Sequence, residues 1–341
     1  LMLSKYKVSP ERCLAIYKKF GAKSVEFINQ NPYVLCEEGL EFSFEVCEDI
    51  AADLGFDRDN EFRICAGIEY VLRKNLYNGH TCLPRDKFIP VACKLLEAKE
   101  STVEICCDRL IECFRISNEF INGKEYVSIP DYRAAEQFIA ARLLSVKNHI
   151  NASVTVDELE IQNVENRLGI KFEDLQREAI TEAFKSGILV LTGGPGTGKT
   201  TTLNAIIKLF EGRNFEIELA APTGRAAKRM SEATNCEART IHRLLEMEKR
   251  ANESIRFNRN QRNPIEEDVV IVDEASMMDL FLLEALMRAM PRTGRLILIG
   301  DSHQLPSVGA GNVLHDIIES GKVSVVRLTK VFRQARQSYI V

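Results

Sequence analysis

The spacing of apolar positions changes character partway along this chain of 341 residues. Up to about residue 98 they recur every three to four positions, which predicts amphipathic helices over 11–20, 23–29, 44–54 and 61–76. Pro10, Pro32 and Pro84 punctuate the connections, and Gly21, Gly55 and Gly79 stand near the expected helix ends. A further helix is expected over 101–112, opened by Ser101 and Glu104 at capping-box spacing. Segments 114–120 and 125–129 then flank Asn122-Gly123, a strong hairpin signal. Pro130 and Asp131 open a helix through Val146, and helix plus hairpin suggests a small winged-helix-like unit over 99–150.

After a polar, helix-bearing connector over 151–171, strand and helix patterns alternate. Apolar runs at 188–192, 217–221, 268–272, 295–299 and 323–327 read as strands of one doubly wound parallel sheet. The gap from 221 to 268 is too long for a single crossover helix, so a small insertion is expected at about 246–267.

Composition adds limits. No apolar run approaches the length of a membrane span and no signal peptide opens the chain, so a cytoplasmic protein without a membrane partner is expected. A net charge of −4 gives no global pointer to nucleic acid, but 221–262 holds ten Lys/Arg against five Asp/Glu. Ten cysteines without a C-x-x-C pair argue for a reducing compartment. Cys93, Cys106, Cys107 and Cys113 match no iron–sulfur spacing and read as core residues.

The chemistry is concentrated in one octapeptide, Gly193-Gly194-Pro195-Gly196-Thr197-Gly198-Lys199-Thr200, followed by Thr201. It fits the P-loop pattern and sits between an apolar run and a helix-compatible stretch, the context that the motif requires. Glycines let the backbone curl so that its N–H groups meet phosphate oxygens, and the following helix adds its positive end. Lys199 supplies a charge for the β- and γ-phosphates and Thr200 a hydroxyl for Mg2+. Downstream, an apolar strand delivers Asp273 and Glu274 at its carboxyl end, where open α/β sheets bind ligands. Asp273 is expected in the Mg2+ shell, and Glu274 as the base for the attacking water.

Further segments accumulate in order: Leu175-Gln176-Arg177-Glu178-Ala179, Ala221-Pro222-Thr223-Gly224-Arg225, Thr240-Ile241-His242-Arg243-Leu244, Ser276-Met277-Met278-Asp279, Gly300-Asp301-Ser302-His303-Gln304-Leu305-Pro306-Ser307-Val308-Gly309 and Leu328-Thr329-Lys330-Val331-Phe332-Arg333-Gln334. Over 172–341 this set resembles the superfamily 1 helicases of the RecD-like group, the exodeoxyribonuclease V alpha subunit and its stand-alone relatives. Towards the front, Pro10 through Pro32-Tyr33-Val34-Leu35, Asn78-Gly79-His80-Thr81-Cys82-Leu83-Pro84 and Ile129-Pro130 resemble the N-terminal extension of the long forms, with its helix–hairpin–helix elements. The hairpins are expected at Lys7-Val8-Ser9-Pro10 and Gly39-Leu40-Glu41-Phe42. The second carries glutamate where a second glycine is usual, which weakens a grip on phosphate and leaves a packing role at least as open.

The resemblance implies a multidomain fold. An all-α, helix–hairpin–helix-like region over 1–98 and the winged-helix-like unit precede a first RecA-like P-loop NTPase domain, α/β with a parallel sheet, over 151–341. It implies ATP and Mg2+ as cofactors, with Gln176 reading the adenine edge, Gln304 touching the γ-phosphate, and Arg333 neutralising charge in the transition state. Thr223, Arg225 and His242 fall in segments that contact single-stranded DNA in relatives, and a hairpin in the insertion, around Phe257, splits the duplex there. The implied partners are single-stranded DNA, duplex junctions, and nuclease or other recombination subunits; the implied activity is ATP-driven movement on DNA, 5′ to 3′ in relatives, in repair or recombination. The chain begins at Leu1 and stops soon after Arg333 without the later helicase motifs, so a fragment lacking the second RecA-like domain is expected. Two other readings remain: a P-loop ATPase acting on proteins, and a non-catalytic scaffold subunit of a nuclease complex.

Overall fold

A computed structural model describes residues 4–6, 8–37, 39–40, 42–149, 155–249, 255–301, 304, 307 and 309–332. The chain divides into two compact units, Leu1–Arg133 and Ala134–Val341. Among the described residues no helix is long and apolar enough to cross a membrane.

Unit 1 carries α1 (Pro10–Phe20), α2 (Ser24–Gln30), α3 (Phe44–Asp53), α4 (Glu61–Leu76), β1 (Cys82–Pro84), α5 (Arg85–Leu96), α6 (Glu100–Glu112), β2 (Ser117–Ile121) and β3 (Lys124–Ser128). The side chains of Ser9 and Ser43 accept hydrogen bonds from Arg12 N and Val46 N, capping α1 and α3. Each expected hairpin segment is thus followed directly by a capped helix, the order that a helix–hairpin–helix element has. The tight connections lie where the helices end, at Gly21 (φ +62°) and Gly55 (φ +75°), since glycine enters the left-handed region without a Cβ penalty. Lys7 and Glu41 lie outside the described residues. α6 starts at Glu100 with Lys99 in the cap position and no side-chain cap, so Ser101 does not open it as the capping-box spacing predicts.

The Asn122-Gly123 turn forms as the sequence predicts, with both residues at positive φ, joining β2 to β3. β3 also pairs with β1, giving an antiparallel sheet in the order β1-β3-β2. One apolar core runs from Ile16 in α1 through Val103, Cys106 and Leu110 in α6 to Val127 in β3. The helix and hairpin beyond residue 98 thus share a core with the helices before them.

α7 (Pro130–His149) crosses the division at Arg133. Unit 2 continues with α8 (Glu158–Leu168), α9 (Asp174–Lys185), β4 (Ile188–Gly193), α10 (Lys199–Gly212), β5 (Ile217–Ala221), α11 (Gly224–Thr234), β6 (Ala238–Thr240), α12 (Ile241–Leu244), β7 (Met247–Lys249), β8 (Ile255–Phe257), β9 (Val269–Val272), α13 (Leu280–Ala289), β10 (Arg295–Gly300), α14 (Val313–Glu319) and β11 (Ser324–Leu328). Six strands form one parallel sheet in the order β11-β4-β10-β9-β5-β6. β4, β9 and β10 are buried along their whole length, as strands covered on both faces must be. Phe184 of α9 stacks on Phe210 of α10 at 4.0 Å between centroids, over Leu189, Leu191 and Ile206. The insertion contains an antiparallel hairpin of β7 and β8, with its tip, 250–254, outside the described residues.

β6 brings Arg239 to Glu218 of β5, a 2.8 Å ion pair in which Glu218 is buried. Burial pushes the Glu218 carboxyl from 4.5 up to about 7; Arg239 pulls it down, while Glu267 and Glu237 push it further up. Between those two values the folded chain holds a proton that the unfolded chain releases, so stability falls as pH rises through this window. Glu218→Gln removes that dependence. Its melting temperature relative to the parent chain is expected to rise between roughly pH 5 and pH 8. Thermal melts across that range check this, and a difference independent of pH contradicts it.

Candidate nucleotide site and nucleic-acid face

β4 ends at Gly193, the loop turns through Gly194–Gly198, and α10 begins at Lys199. Gly196 (φ +75°) and Gly198 (φ +87°) hold left-handed conformations, and a Cβ on Gly198 would lie 2.4 Å from Gln176 Nε2. The loop closes on itself: Thr197 Oγ1 donates to Gly194 O (2.9 Å), and Lys199 Nζ donates to Gly193 O (2.6 Å) and Gly194 O (3.0 Å). Lys199 is thereby folded back over the loop at the amino end of a 14-residue helix, where backbone N–H groups and the helix dipole favour anions. Thr200 is exposed and Thr201 half-buried on the first turn of that helix.

β9 delivers the two carboxylates. Asp273 N–H donates to Ala220 O of β5 (3.0 Å), which extends the pairing by one residue. Glu274 then turns into the left-handed region (φ +53°), and its N–H donates to Asp273 Oδ1 (2.8 Å). Burial pushes both carboxyls up, and the Lys199 ammonium draws both down. Lys199 is therefore close enough to act on both, although 74 residues separate it from Asp273 in sequence (273 − 199). The neighbouring charge of Asp273, and more weakly that of Asp301, raises Glu274 further. The two acids thus stand half-buried beside the P-loop, both raised by burial, with Glu274 raised further by its neighbour.

Gln176 is buried on the first turn of α9. Its Oε1 accepts from Glu173 N (3.0 Å), and its Nε2 faces Gly198 O at 3.5 Å. It borders a cavity of about 230 Å3 beside the loop, also lined by Thr197, Thr329, Lys330 and Phe332. Lys330 reaches back to the Glu173 carboxylate, and Phe332 N–H donates to Gly196 O (2.9 Å) with its ring against Gly198. Glu173, Lys330 and Phe332 had no assigned role in the sequence reading. Their signal was only adjacency to Gln176 and Arg333.

Gln304 is exposed after β10, its N–H donating to Asp301 O (3.1 Å). Arg333 lies outside the described residues, as do Ser302, His303, Leu305, Pro306 and Val308. Thr223 caps α11, its hydroxyl accepting from Ala226 N (3.2 Å), and Arg225 stands exposed beside it. His242 on α12 is half-buried, 6.3 Å from the Phe257 ring of β8. Because the sheet is parallel, the ends of β5 and β6 that carry Thr223 and Thr240 share an edge with the P-loop.

A parallel sheet with a glycine loop, a lysine and two carboxylates at its carboxyl edge defines a P-loop nucleotide-binding protein. A family model described as an AAA domain matches residues 176–310, and one described as the ATP-dependent RecD2 DNA helicase HHH domain matches residues 1–82. The chain is 29% identical to the ATP-dependent RecD2 DNA helicase of Deinococcus radiodurans over 335 residues, covering 95% of this chain and 45% of that protein. It is 40% identical to the RecBCD enzyme subunit RecD of Mycolicibacterium smegmatis over 182 residues, 47% of this chain and 32% of that one. The RecBCD enzyme subunit RecD of Buchnera aphidicola is 31% identical over 289 residues, 78% of this chain and 46% of that one. Among solved structures, the Pif1 helicase of Candida albicans superposes with a TM-score of 0.37 and 23% identity, covering 48% of this chain and 41% of that one. This chain belongs to the RecD-like superfamily 1 helicases, and it spans less than half the length of these curated relatives.

Proposed function

We propose that the full-length protein is an ATP-dependent DNA helicase in which ATP hydrolysis at 193–200 drives movement on single-stranded DNA. The observation that carries this reading is the convergence of Lys199, Asp273 and Glu274 at one edge of the sheet, where the Lys199 ammonium draws both carboxyls down and Asp273 pushes Glu274 up. Lys199 would leave its loop carbonyls for the β- and γ-phosphate oxygens, and the α10 N–H groups would hold those oxygens in place. Glu274 would orient the attacking water and take its proton. The Thr200 hydroxyl and Asp273 carboxylate are hard oxygen donors of the kind that Mg2+ takes in phosphate sites, so the residues fit the ion. When bound, Mg2+ would spread the negative charge of the phosphates. The remaining loop residues, Gly193, Gly194, Pro195, Gly196, Thr197, Gly198 and Thr201, would form the phosphate cradle, with Gln176 beside the base, Gln304 near the γ-phosphate and Arg333 on it.

Thr223, Arg225 and His242 would carry single-stranded DNA along the same edge, through contacts that position the strand without reading sequence. The β7–β8 hairpin, with Arg256 and Phe257, would meet the duplex junction. On this reading 1–98 is the helix–hairpin–helix-like part, 99–150 the winged-helix-like part and 151–341 the first RecA-like domain. Relatives named as RecBCD enzyme subunits support a multi-subunit partner. The proposal further takes the protein to act in DNA repair or recombination, in the cytoplasm, with 5′ to 3′ movement.

ATP then requires a second RecA-like domain to complete its site, so residues 1–341 alone are expected not to unwind DNA. A strand-displacement assay on a 5′-tailed duplex, comparing 1–341 with the full-length protein, checks this. ATP-dependent unwinding by 1–341 would show that the catalytic unit does not need the second domain. DNA-independent ATP hydrolysis by the full-length protein would favour a P-loop ATPase of another kind.

A further inference from the structure

Two thiols in unit 1 lie in contact. Cys36 Sγ and Cys47 Sγ are 3.1 Å apart, within hydrogen-bonding contact. Cys36 closes the short 3-10 turn Pro32–Cys36, and Cys47 lies on α3, so the contact joins two elements across the connector 37–43. The pair differs in access. Cys36 is half-buried and lines a cavity of about 710 Å3 with Glu37, Phe42 and Tyr70, whereas Cys47 is fully buried. A small solute therefore reaches Cys36 first. Disulfide sulfurs sit about 2.05 Å apart, so closure asks for a shift of roughly 1 Å.

We propose that Cys36 and Cys47 form an oxidative modification site, which hydrogen peroxide converts to a disulfide. In the first step the Cys36 sulfur attacks the peroxide. An S–O bond forms, the O–O bond breaks, and the departing hydroxide takes the thiol proton as water, leaving a sulfenic acid. In the second step Cys47 attacks the Cys36 sulfur. The S–S bond forms, the S–O bond breaks, and the released hydroxide takes the Cys47 proton as a second water. The Cys47 thiol is held protonated by its contact with Cys36, by burial, and by the nearby Glu48 and Glu45 carboxylates. It is therefore the resolving partner and not the first nucleophile. Once Cys36 is oxidised, a sulfur already in contact captures it before further oxidation. The disulfide closes a short loop, which restricts the unfolded chain, so the oxidised protein is expected to melt at higher temperature than the reduced one.

The test uses the chain of residues 1–341, reduced and then treated with hydrogen peroxide. After catalase, free thiols are alkylated in denaturant and the protein is digested with trypsin. Cys36 and Cys47 fall in one tryptic peptide, 24–58, which contains no other cysteine. The expected result is that most of this peptide becomes two hydrogens lighter and unalkylated, and that dithiothreitol restores it. In Cys47→Ala, Cys36 is expected instead to be trapped as a sulfenic acid by dimedone. If Cys47→Ala does not fold, the peptide from the parent chain decides alone. The proposal is overturned if peptide 24–58 is doubly alkylated under peroxide that oxidises the exposed Cys13 and Cys113. It is equally overturned if Cys36 advances to the sulfinic acid while Cys47 stays free.

Discussion

Lys199→Ala in the full-length protein is expected to abolish DNA-stimulated ATP hydrolysis. The ammonium lies against Gly193 O and Gly194 O, at the mouth of the loop and ahead of the α10 N–H groups. It is the cation whose field reaches both Asp273 and Glu274. Hydrogen bonds to charged groups contribute about 1.5–3 kcal/mol each, so nucleotide binding should weaken roughly 10- to 100-fold. Turnover should fall further, because charge developing on the phosphates in the transition state loses its nearest neutralising group. Removing the side chain also frees two loop carbonyls, and it leaves Glu274 with only the charge of Arg229, among the described residues, to draw it down. A melting curve should accompany the assay, to separate loss of fold from loss of function. ATPase activity at the parent level in a folded variant would remove the nucleotide site from 193–200.

Glu274→Gln is expected to keep nucleotide binding and lose turnover by about two decades or more, the usual contribution of a positioned general base. Glutamine preserves the shape of the left-handed corner after β9 but cannot take a proton. The pH dependence gives an independent check. Burial, with Asp273 beside it, raises the Glu274 carboxyl above the ordinary 4.5, and the base works only when deprotonated. The acid side of the rate profile should therefore be displaced upward from that of an ordinary glutamate, with activity rising as pH rises through it. That limb should vanish in Glu274→Gln. Equal losses of binding and turnover would make Glu274 a residue of the metal site or of the fold. Asp273 should behave in that second way when replaced by asparagine, with nucleotide binding in Mg2+ weakened together with turnover.

Much of unit 2 was legible from residue patterns. Continuous apolar runs mark β4, β9 and β10, since strands covered on both faces cannot alternate. The P-loop announced itself because its geometry is local: glycines at fixed spacing between a strand and a helix. Asn122-Gly123 was legible for the same reason, both residues taking positive φ in a two-residue turn. Other features were not. β1 and β6 are three residues each, too short to show a period, and exist because β3 and β5 offer them partners. The Ser9 and Ser43 caps, which set where α1 and α3 begin after the expected hairpin segments, carried no signal that was read from the sequence.

The candidate site divides along the same line. Residue types and their local spacing were enough to identify a phosphate-binding loop, an acidic strand end and the family to which the chain belongs. They could not say that Gln176 would spend its Oε1 on Glu173 N and press its amide nitrogen on Gly198, or that Phe332 would close over the loop through Gly196 O. Nor could they place Cys36 against Cys47. The physical reason is separation along the chain. A loop or a cap is set by dihedral angles and hydrogen bonds within a few residues, so its signal survives in the sequence. Contacts between Lys199 and Asp273, or Phe332 and Gly196, depend on the order β11-β4-β10-β9-β5-β6, and that order follows from which buried faces fit together when the sheet assembles.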